Sequence, residues 1–495
     1  MTSETEPTPV AAGSLRKVAV RGGAVTVAGQ GGKTLLQFIS IPILARLLSP
    51  EDFGIIATVG IFLALGDIVR DFGLTSAALQ AKSLSHPQKS TLFWTSVAIG
   101  TALALIMVPV SFALPSVFGR PELYLVGLAT AINFPISGAQ AQYQVELARN
   151  GRFASLAFSS LAAQAIGISI AVAIAFAGFG YWALVVQILA TGGSQLVIRV
   201  SMTRWFPSPP WKLVSIRSFL GYGANLGAAQ LVGYAATNAD TATMSFRFGA
   251  ESVGAYSRAY SLLIVPTFQL MSPLTNMAVP MLAKCSGDMK SQFTPMLKSA
   301  QIMVSVPLIM LFAVSSGLAK HLINLLLGPQ WSQSAELFAI LGLGGFFQAL
   351  SYVVFWGFLS LAKTRQLLHC NLATKGSTVL AIVIGSHWGP TGIAWAVTIS
   401  LAASWPISLC WLGRGTEIPR ASLLTSALPA ILAGLATFGL LTFGFRADHY
   451  SLPIVLGLGA MGCGFYIGLL TASPRGRRDL GFIIQSLMAL RRGRV

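Results

Sequence analysis

Apolar runs of membrane-spanning length recur along the chain with short polar breaks between them. They lie at 22–46, 53–79, 90–115, 121–145, 153–178, 181–200, 218–238, 252–280, 297–318, 333–360, 365–386, 390–412, 422–444 and 451–472. A bilayer core about 30 Å thick needs roughly 20 helical residues per crossing, and backbone inside it must satisfy its own hydrogen bonds. The pattern therefore predicts an all-α polytopic membrane protein with about 14 transmembrane helices. Some runs carry Gly, Gln, Asn or a lone charge; two re-entrant or interfacial segments would reduce the count to about 12.

Connections are short, as in Phe179-Gly180-Tyr181 and His387-Trp388-Gly389-Pro390, so neighbouring helices run antiparallel. The clearest internal break, 201–217, holds Pro207, Pro209 and Pro210 among basic residues. It predicts a cytoplasmic tail over 1–21, an N-terminal six-helix bundle over 22–210 and a C-terminal six-helix bundle over 211–420. Two additional membrane helices follow over 421–472, then a basic amphipathic cytoplasmic tail over 473–495. Glu51-x-x-Gly54 returns as Glu251-x-x-Gly254 at the corresponding outer turn of the second bundle. Such an echo suits a transporter built by duplication around a central path.

Composition closes off other classes. Of 495 residues only 10% are charged and 54% are hydrophobic, with a mean hydropathy of +0.70. No large water-soluble catalytic domain fits beside so many crossings. The net charge of +18 follows the positive-inside rule rather than a nucleic-acid surface. Basic residues crowd alternate connections (Arg149 and Arg152; Arg199, Arg204, Lys212 and Arg217; Lys363 and Arg365), while the opposite turns hold Arg46, Arg120, Arg247, Lys320 and Arg446. Both termini are thus expected in the cytoplasm. The C-terminal stretch 479–495 mixes apolar residues with an Arg-rich end and predicts an interfacial helix on the anionic inner leaflet. The four cysteines and five histidines are scattered, so no metal site, cofactor or catalytic residue is expected.

Charges at membrane depth are costly and face the protein interior or a wet cavity. Lys33 lies mid-helix in Gly29-Gln30-Gly31-Gly32-Lys33-Thr34, which fails as a phosphate-binding loop because Val27 stands where its first glycine belongs. It reads as a cavity-facing cation or as a partner for a neighbouring helix. Asp67, Arg70 and Asp71 are spaced to meet on one helix face, either as a coupling network or as a structural ion pair. Asp240, Arg258 and Lys375 are isolated in sequence; Arg258 is the best anion ligand of the three, with edge snorkelling as the alternative. The polar set Asn133, Gln140, Gln142, Gln144, Gln164, Gln187, Asn225 and Gln230 suits sugar hydroxyls or helix–helix hydrogen bonding. Asn133, Gln140, Gln144, Asn225 and Gln230 are the glycan-contact candidates.

Four stretches carry a family resemblance: the run from Gln37 to Gly54 (QFISIPILARLLSPEDFG), Asp71-Phe72-Gly73-Leu74-Thr75-Ser76-Ala77-Ala78-Leu79, Ser90-Thr91-Leu92-Phe93-Trp94, and Gly254-Ala255-Tyr256-Ser257-Arg258-Ala259-Tyr260. Over residues 20 to 470 the chain resembles the Wzx-type polysaccharide flippases of the multidrug/oligosaccharidyl-lipid/polysaccharide exporter superfamily. The resemblance implies a multi-pass protein of the bacterial inner membrane with two six-helix bundles and two further helices. It implies flipping of undecaprenyl-diphosphate-linked oligosaccharide repeat units from the cytoplasmic to the periplasmic leaflet, for exopolysaccharide or lipopolysaccharide biosynthesis, by alternating access. Lys33 and Arg258 are then the candidates for the lipid diphosphate. A polysaccharide polymerase and a chain-length regulator are the expected protein partners, and the chain is expected to work as a monomer. The alternatives are a secondary exporter of drugs or small metabolites and a membrane glycan polymerase; for the polymerase the chain offers no Asp-x-Asp cluster and no long catalytic loop.

Overall fold

A computed structural model describes residues 29–71, 73–81, 83–209, 230–231, 233–234, 237–414, 416, 418–445 and 451–491. The predicted 1–21 tail, residues 210–217 of the predicted seam and most of the predicted run 218–238 lie outside the described residues. Every regular element among those described is helical. The chain divides into two compact units, Met1–Asn238 and Ala239–Val495.

The first unit contains α1 (29–47), α2 (Pro50–Asp71), α3 (Leu74–Gln80), α4 (His86–Phe118), α5 (Glu122–Ala131), α6 (Asn133–Arg149), α7 (Phe153–Phe176) and α8 (Trp182–Thr203). The Leu48-to-Gly54 motif is a helix start. Ser49 Oγ accepts from the Asp52 amide at 3.2 Å while the Asp52 carboxylate accepts from the Ser49 amide at 2.8 Å. Glu51 and Asp52 also set negative charge at the positive end of α2. The predicted single run 53–79 is broken at Gly73, whose φ of 69° lets the chain turn from α2 into α3. α4 opens on a Ser85–Gln88 capping box and closes on Gly119 in the left-handed region. α4 packs on α5 and α6, and α7 on α8. The α4–α6 contact is backbone to backbone: a Cβ on Gly138 would stand 2.5 Å from the Ser96 carbonyl oxygen.

The second unit contains α9 (Ala239–Lys284), α10 (Thr294–Gly317), α11 (Ala319–Leu326), α12 (Ser332–Ser360), α13 (Thr364–Gly385), α14 (Gly389–Leu412), α15 (Arg420–Gly444), α16 (Leu452–Ala472) and α17 (Pro474–Arg491). α12 is its hub and packs against α9, α10 and α14. At 46 residues α9 would span about 69 Å if straight, more than twice the hydrocarbon thickness. Gly249, at φ 76° and ψ 174°, breaks it. The predicted run 252–280 is the part beyond that break. The connection after α10 carries the short amphipathic helix α11, whose His321 is buried.

Among the described residues, ten helical stretches are long and apolar enough to cross a bilayer. The protein is therefore an all-α polytopic membrane protein.

Candidate functional site

A cavity of about 320 Å³ opens inside the first unit, lined by Arg70, Asp71, Thr75, Ser76, Ser137, Gln140, Ala141, Gln144 and Arg199. Three structural features bring these residues together. The last turn of α2 supplies Arg70 and Asp71, and the Gly73 turn places Thr75 and Ser76 beside them. On α6, Ser137, Gln140 and Gln144 fall at helical i, i+3, i+7 spacing and form one polar stripe. Arg199 comes from the penultimate turn of α8.

The charges are arranged unequally. Asp67 Oδ1 accepts from Arg70 Nε at 3.3 Å and from Ser137 Oγ at 3.1 Å, while Arg70 Nη1 donates to the Ser137 carbonyl oxygen at 3.3 Å. Thr75 donates its hydroxyl proton to Asp71. The expected Asp67/Arg70/Asp71 set is thus resolved into an Asp67–Arg70 pair and an Asp71 tied to α3. Arg199 is only 5% exposed and makes no ion pair among the described residues. It donates to Gln144 Oε1 at 3.2 Å, Gln140 Oε1 at 3.4 Å and Ser159 Oγ at 3.5 Å. These are long contacts to neutral oxygens, weak compensation for a buried guanidinium. A second bond orients Gln140 toward the cation. Its amide nitrogen donates to the Gly192 carbonyl oxygen at 2.8 Å, which turns its own oxygen toward Arg199.

The charge pattern predicts Arg199 as a cation of the 201–217 connection. The structure corrects this. α8 continues to Thr203, so Arg199 is inside the helix, buried against α6 and α7. The only signal was its place at the end of an apolar run, and the partners that give it meaning lie 55 and 59 residues away.

Other predicted residues do not join the cavity. Asn133, at the start of α6, faces Gly192: a Cβ there would come within 2.8 Å of Asn133 Oδ1, so this pair sets the α6–α8 approach. Lys33 is half-buried on α1, beside a Gly32 that faces Leu161 of α7. Gln230 is exposed, and Asn225 lies outside the described residues. Arg258 is half-buried on α9, in the second unit.

Asp240, isolated in sequence, also finds partners through the fold. It is 3% exposed; Tyr256 donates its hydroxyl to Oδ2 at 2.6 Å, and the Thr241 amide donates to Oδ1 at 2.6 Å. Tyr260 stacks on Tyr256 with centroids 5.8 Å apart, and Lys375 of α13 interacts electrostatically with the carboxylate. The break at Gly249 lets Asp240 and Tyr256 come from one continuous stretch of sequence yet face each other.

Residues 43–336 match the family described as "Polysaccharide biosynthesis protein". The succinoglycan biosynthesis transport protein ExoT of Rhizobium meliloti is 25% identical over 331 residues, a match covering 66% of each chain. The lipopolysaccharide biosynthesis protein WzxC of Escherichia coli is 23% identical over 71% of this chain and 72% of its own. Among solved structures, the lipid II flippase MurJ in an inward closed conformation superposes with a TM-score of 0.67 at 14% identity, covering 90% of this chain and 98% of MurJ. The last likeness shows that the two share a fold. With that family matched over more than half of its length, the chain belongs to the polysaccharide biosynthesis protein family.

Proposed function

We propose that this protein is a transporter that flips undecaprenyl-diphosphate-linked oligosaccharide repeat units from the cytoplasmic to the periplasmic leaflet of the bacterial inner membrane. It moves the unit by alternating access and breaks no covalent bond. The observation that carries this reading is the buried Arg199 beside a polar cavity, in a helix bundle otherwise built of apolar segments. A guanidinium without a carboxylate partner suits a diphosphate, which can accept two of its hydrogen bonds at once. Gln140, Gln144 and Ser137 line the same space with groups that suit sugar hydroxyls.

Fourteen crossings follow when α1, the 121–145 run built of α5 and α6, and the 218–238 segment are counted with the ten, and when the turn at Ser386–Trp388 divides one of those stretches. Positive-inside counting then sets both termini in the cytoplasm. Lys33 and Arg258 remain the candidate cations for the lipid diphosphate. Asp71 is the acid available for ion coupling, since Asp67 is engaged by Arg70. A polymerase and a chain-length regulator fit as consumers of the flipped product, and the chain acts as a monomer.

Transfer is measured in sealed proteoliposomes carrying a lipid-linked repeat, scored by a reagent that modifies only the outer leaflet. Wild-type protein is expected to move the substrate. Arg199→Gln is expected to slow transfer by about tenfold, the loss of one charge-assisted contact, with membrane insertion unchanged. A wild-type protein that leaves the substrate in its starting leaflet would overturn the assignment; an Arg199→Gln variant with full activity would remove Arg199 from it.

A further inference from the structure

A second polar cavity, about 300 Å³, lies in the second unit among the starting turns of α10, α15 and α17, and neither the fold nor the transport reading uses it. Its walls are Lys298, Thr425, Ser426, Arg475, Arg478 and Asp479. Three cations therefore face one carboxylate. Lys298 is the fifth residue of α10, Arg475 and Arg478 are the second and fifth of α17, and Thr425 and Ser426 lie in the second turn of α15. The start of a helix is its positive end, where added cations are unfavourable. Here they are gathered at such ends, and among the described residues none of the three makes an ion pair.

The arrangement is built rather than incidental. α17 follows α16 through Ser473, whose Oγ accepts from the Gly476 amide at 2.9 Å and caps the new helix. A Cβ on Gly476 would run into the Leu470 carbonyl oxygen and stand 2.8 Å from Ser473 Oγ, so only glycine lets α17 fold this closely onto the end of α16. That closure holds Arg475 and Arg478 over α10 and α15. Gln301, one turn beyond Lys298, is fully buried and donates to Ser426 Oγ at 2.9 Å and to the Leu423 carbonyl oxygen at 2.8 Å, fixing the wall between α10 and α15. The half-buried Asp479 carboxyl is pushed up by burial, with Lys298 and Arg478 pulling it back down. One acid shared among three cations leaves the cavity positive.

We infer that this cavity is a binding site for a phosphate group, supplied by the headgroup of an anionic membrane lipid. The lipid source is favoured by α17 itself, which exposes Phe482, Ile484 and Met488 immediately beyond the cations, as a helix resting at a membrane surface does. A phosphate held there ties the last helix to α10 and α15, and so couples the position of the C-terminal helix to the lipid composition of the leaflet it touches. The site is independent of the transport cavity in the first unit.

The test uses the full chain in phosphatidylcholine nanodiscs containing a small share of spin-labelled phosphatidic acid, with immobilised label measured per protein. Replacing Lys298, Arg475 and Arg478 together by Gln is expected to lower lipid retention by about tenfold. Replacing Lys284, Arg365 and Arg477 by Gln removes the same charge from exposed basic positions outside the cavity and is expected to change retention by less than about twofold. Asp479→Asn removes the repelling acid and is expected to raise retention about threefold, a gain that misfolding does not produce. Addition of inorganic phosphate separates the two sources. Retention in its presence supports the lipid headgroup as occupant; displacement at low concentration supports the same phosphate site filled from solution. Equal losses in the two triple variants, or unchanged or weakened retention in Asp479→Asn, would overturn the proposal.

Discussion

The two units solve the same packing problem with different materials. In the second unit the largest fully buried side chains are aromatic: Trp331, Trp356, Tyr256, Tyr466, Phe293, Phe312, Phe346 and Phe358. In the first they are leucines, Leu92, Leu123 and Leu147. The first unit also holds the ion pairs Asp67–Arg70, Lys89–Glu146 and Glu51–Arg120. Lipid is as apolar as leucine, so helices in a membrane gain little from hydrophobic burial and must cohere by dispersion, close backbone approach or polar bonds. The second unit packs large rings around α12, where 67% of the apolar stretch is buried, although its α9 buries only 17%; α7 of the first unit buries 22%. The first unit relies on small-residue contacts and polar bonds, which leave room for a hydrated cavity at Arg199. The difference separates a half packed around aromatic rings from one whose buried cation faces a polar cavity.

The strongest way to break this comparison is to remove a ring. Trp356 is 1% exposed and donates Nε1 to Thr275 Oγ1 at 2.7 Å. Trp356→Ala is expected to cost about 3–5 kcal/mol, through the cavity left and the lost hydrogen bond to Thr275, whose hydroxyl still donates to the Met271 carbonyl oxygen. Leu123→Ala in the first unit should cost about 2–3 kcal/mol. Denaturant unfolding in a fixed detergent measures both. Equal losses would show that the aromatic core is no more tightly packed than the leucine one.

Close approach supplies the next test. A Cβ on Gly392 would strike the Gly385 carbonyl oxygen and stand 2.8 Å from Trp388 Cβ, at the turn joining α13 to α14. Gly392→Ala and Gly138→Ala are each expected to cost about 1–3 kcal/mol by overpacking. They should differ in consequence. The first should lower stability alone, because it meets a short turn in the densely packed unit. The second shifts α6 against α4, and with it Gln140 and Gln144, so the transfer rate should fall as well. Parallel unfolding and leaflet-transfer measurements separate the two outcomes.

These contrasts also mark what the sequence made legible. Helices were legible because an apolar run of membrane length has few other solutions, and the Asp67–Arg70 pair was legible because i,i+3 spacing on one helix is a local property. Arg199 was not, because its role depends on Gln140 and Gln144 arriving from another helix. In sequence it is one more arginine near a basic connection. Asp240 was hidden in the same way. Its partner Tyr256 is 16 residues on, a separation that gives no contact within a straight helix and a hydrogen bond only across the Gly249 break. The break at Gly73 was missed for a different reason: hydropathy does not register a single left-handed residue inside an apolar run.

A smaller effect is expected at Asp67. Its pair with Arg70 is partly solvated, with side chains 40% and 13% exposed, so Asp67→Asn should cost about 0.5–1 kcal/mol of stability. Its main consequence is electrostatic. The substitution frees Arg70 to act beside Arg199, and affinity for a lipid diphosphate is expected to rise about threefold while release slows. Equilibrium binding and single-turnover transfer measure the two sides of that change. Unchanged binding would show that the Arg70 guanidinium does not reach the ligand.

The smallest effect distinguishes the units by pH. Both start a long helix from a short turn with a side-chain cap, but the caps differ in charge. In the first unit Ser85 and Gln88 exchange neutral hydrogen bonds, the Gln88 amide lying 3.4 Å from Ser85 Oγ. In the second, exposed Asp288 accepts from the Ser291 amide at 3.0 Å and from the Ser291 hydroxyl, at the turn before α10. Those bonds favour the carboxylate and hold the Asp288 carboxyl below its usual 3.8. The sign follows from the direction: a depressed carboxyl contributes fully above 3.8, and its contribution is lost as pH falls below that value through the folded one. Hydrogen exchange, corrected for intrinsic rates, should therefore show the Ser291 amide losing protection across that window while the Gln88 amide keeps its own. Asp288→Asn should abolish the pH dependence at Ser291 and leave Gln88 untouched. If both amides lose protection together, the acid response is global unfolding, and the charged cap has no separate role in the second unit.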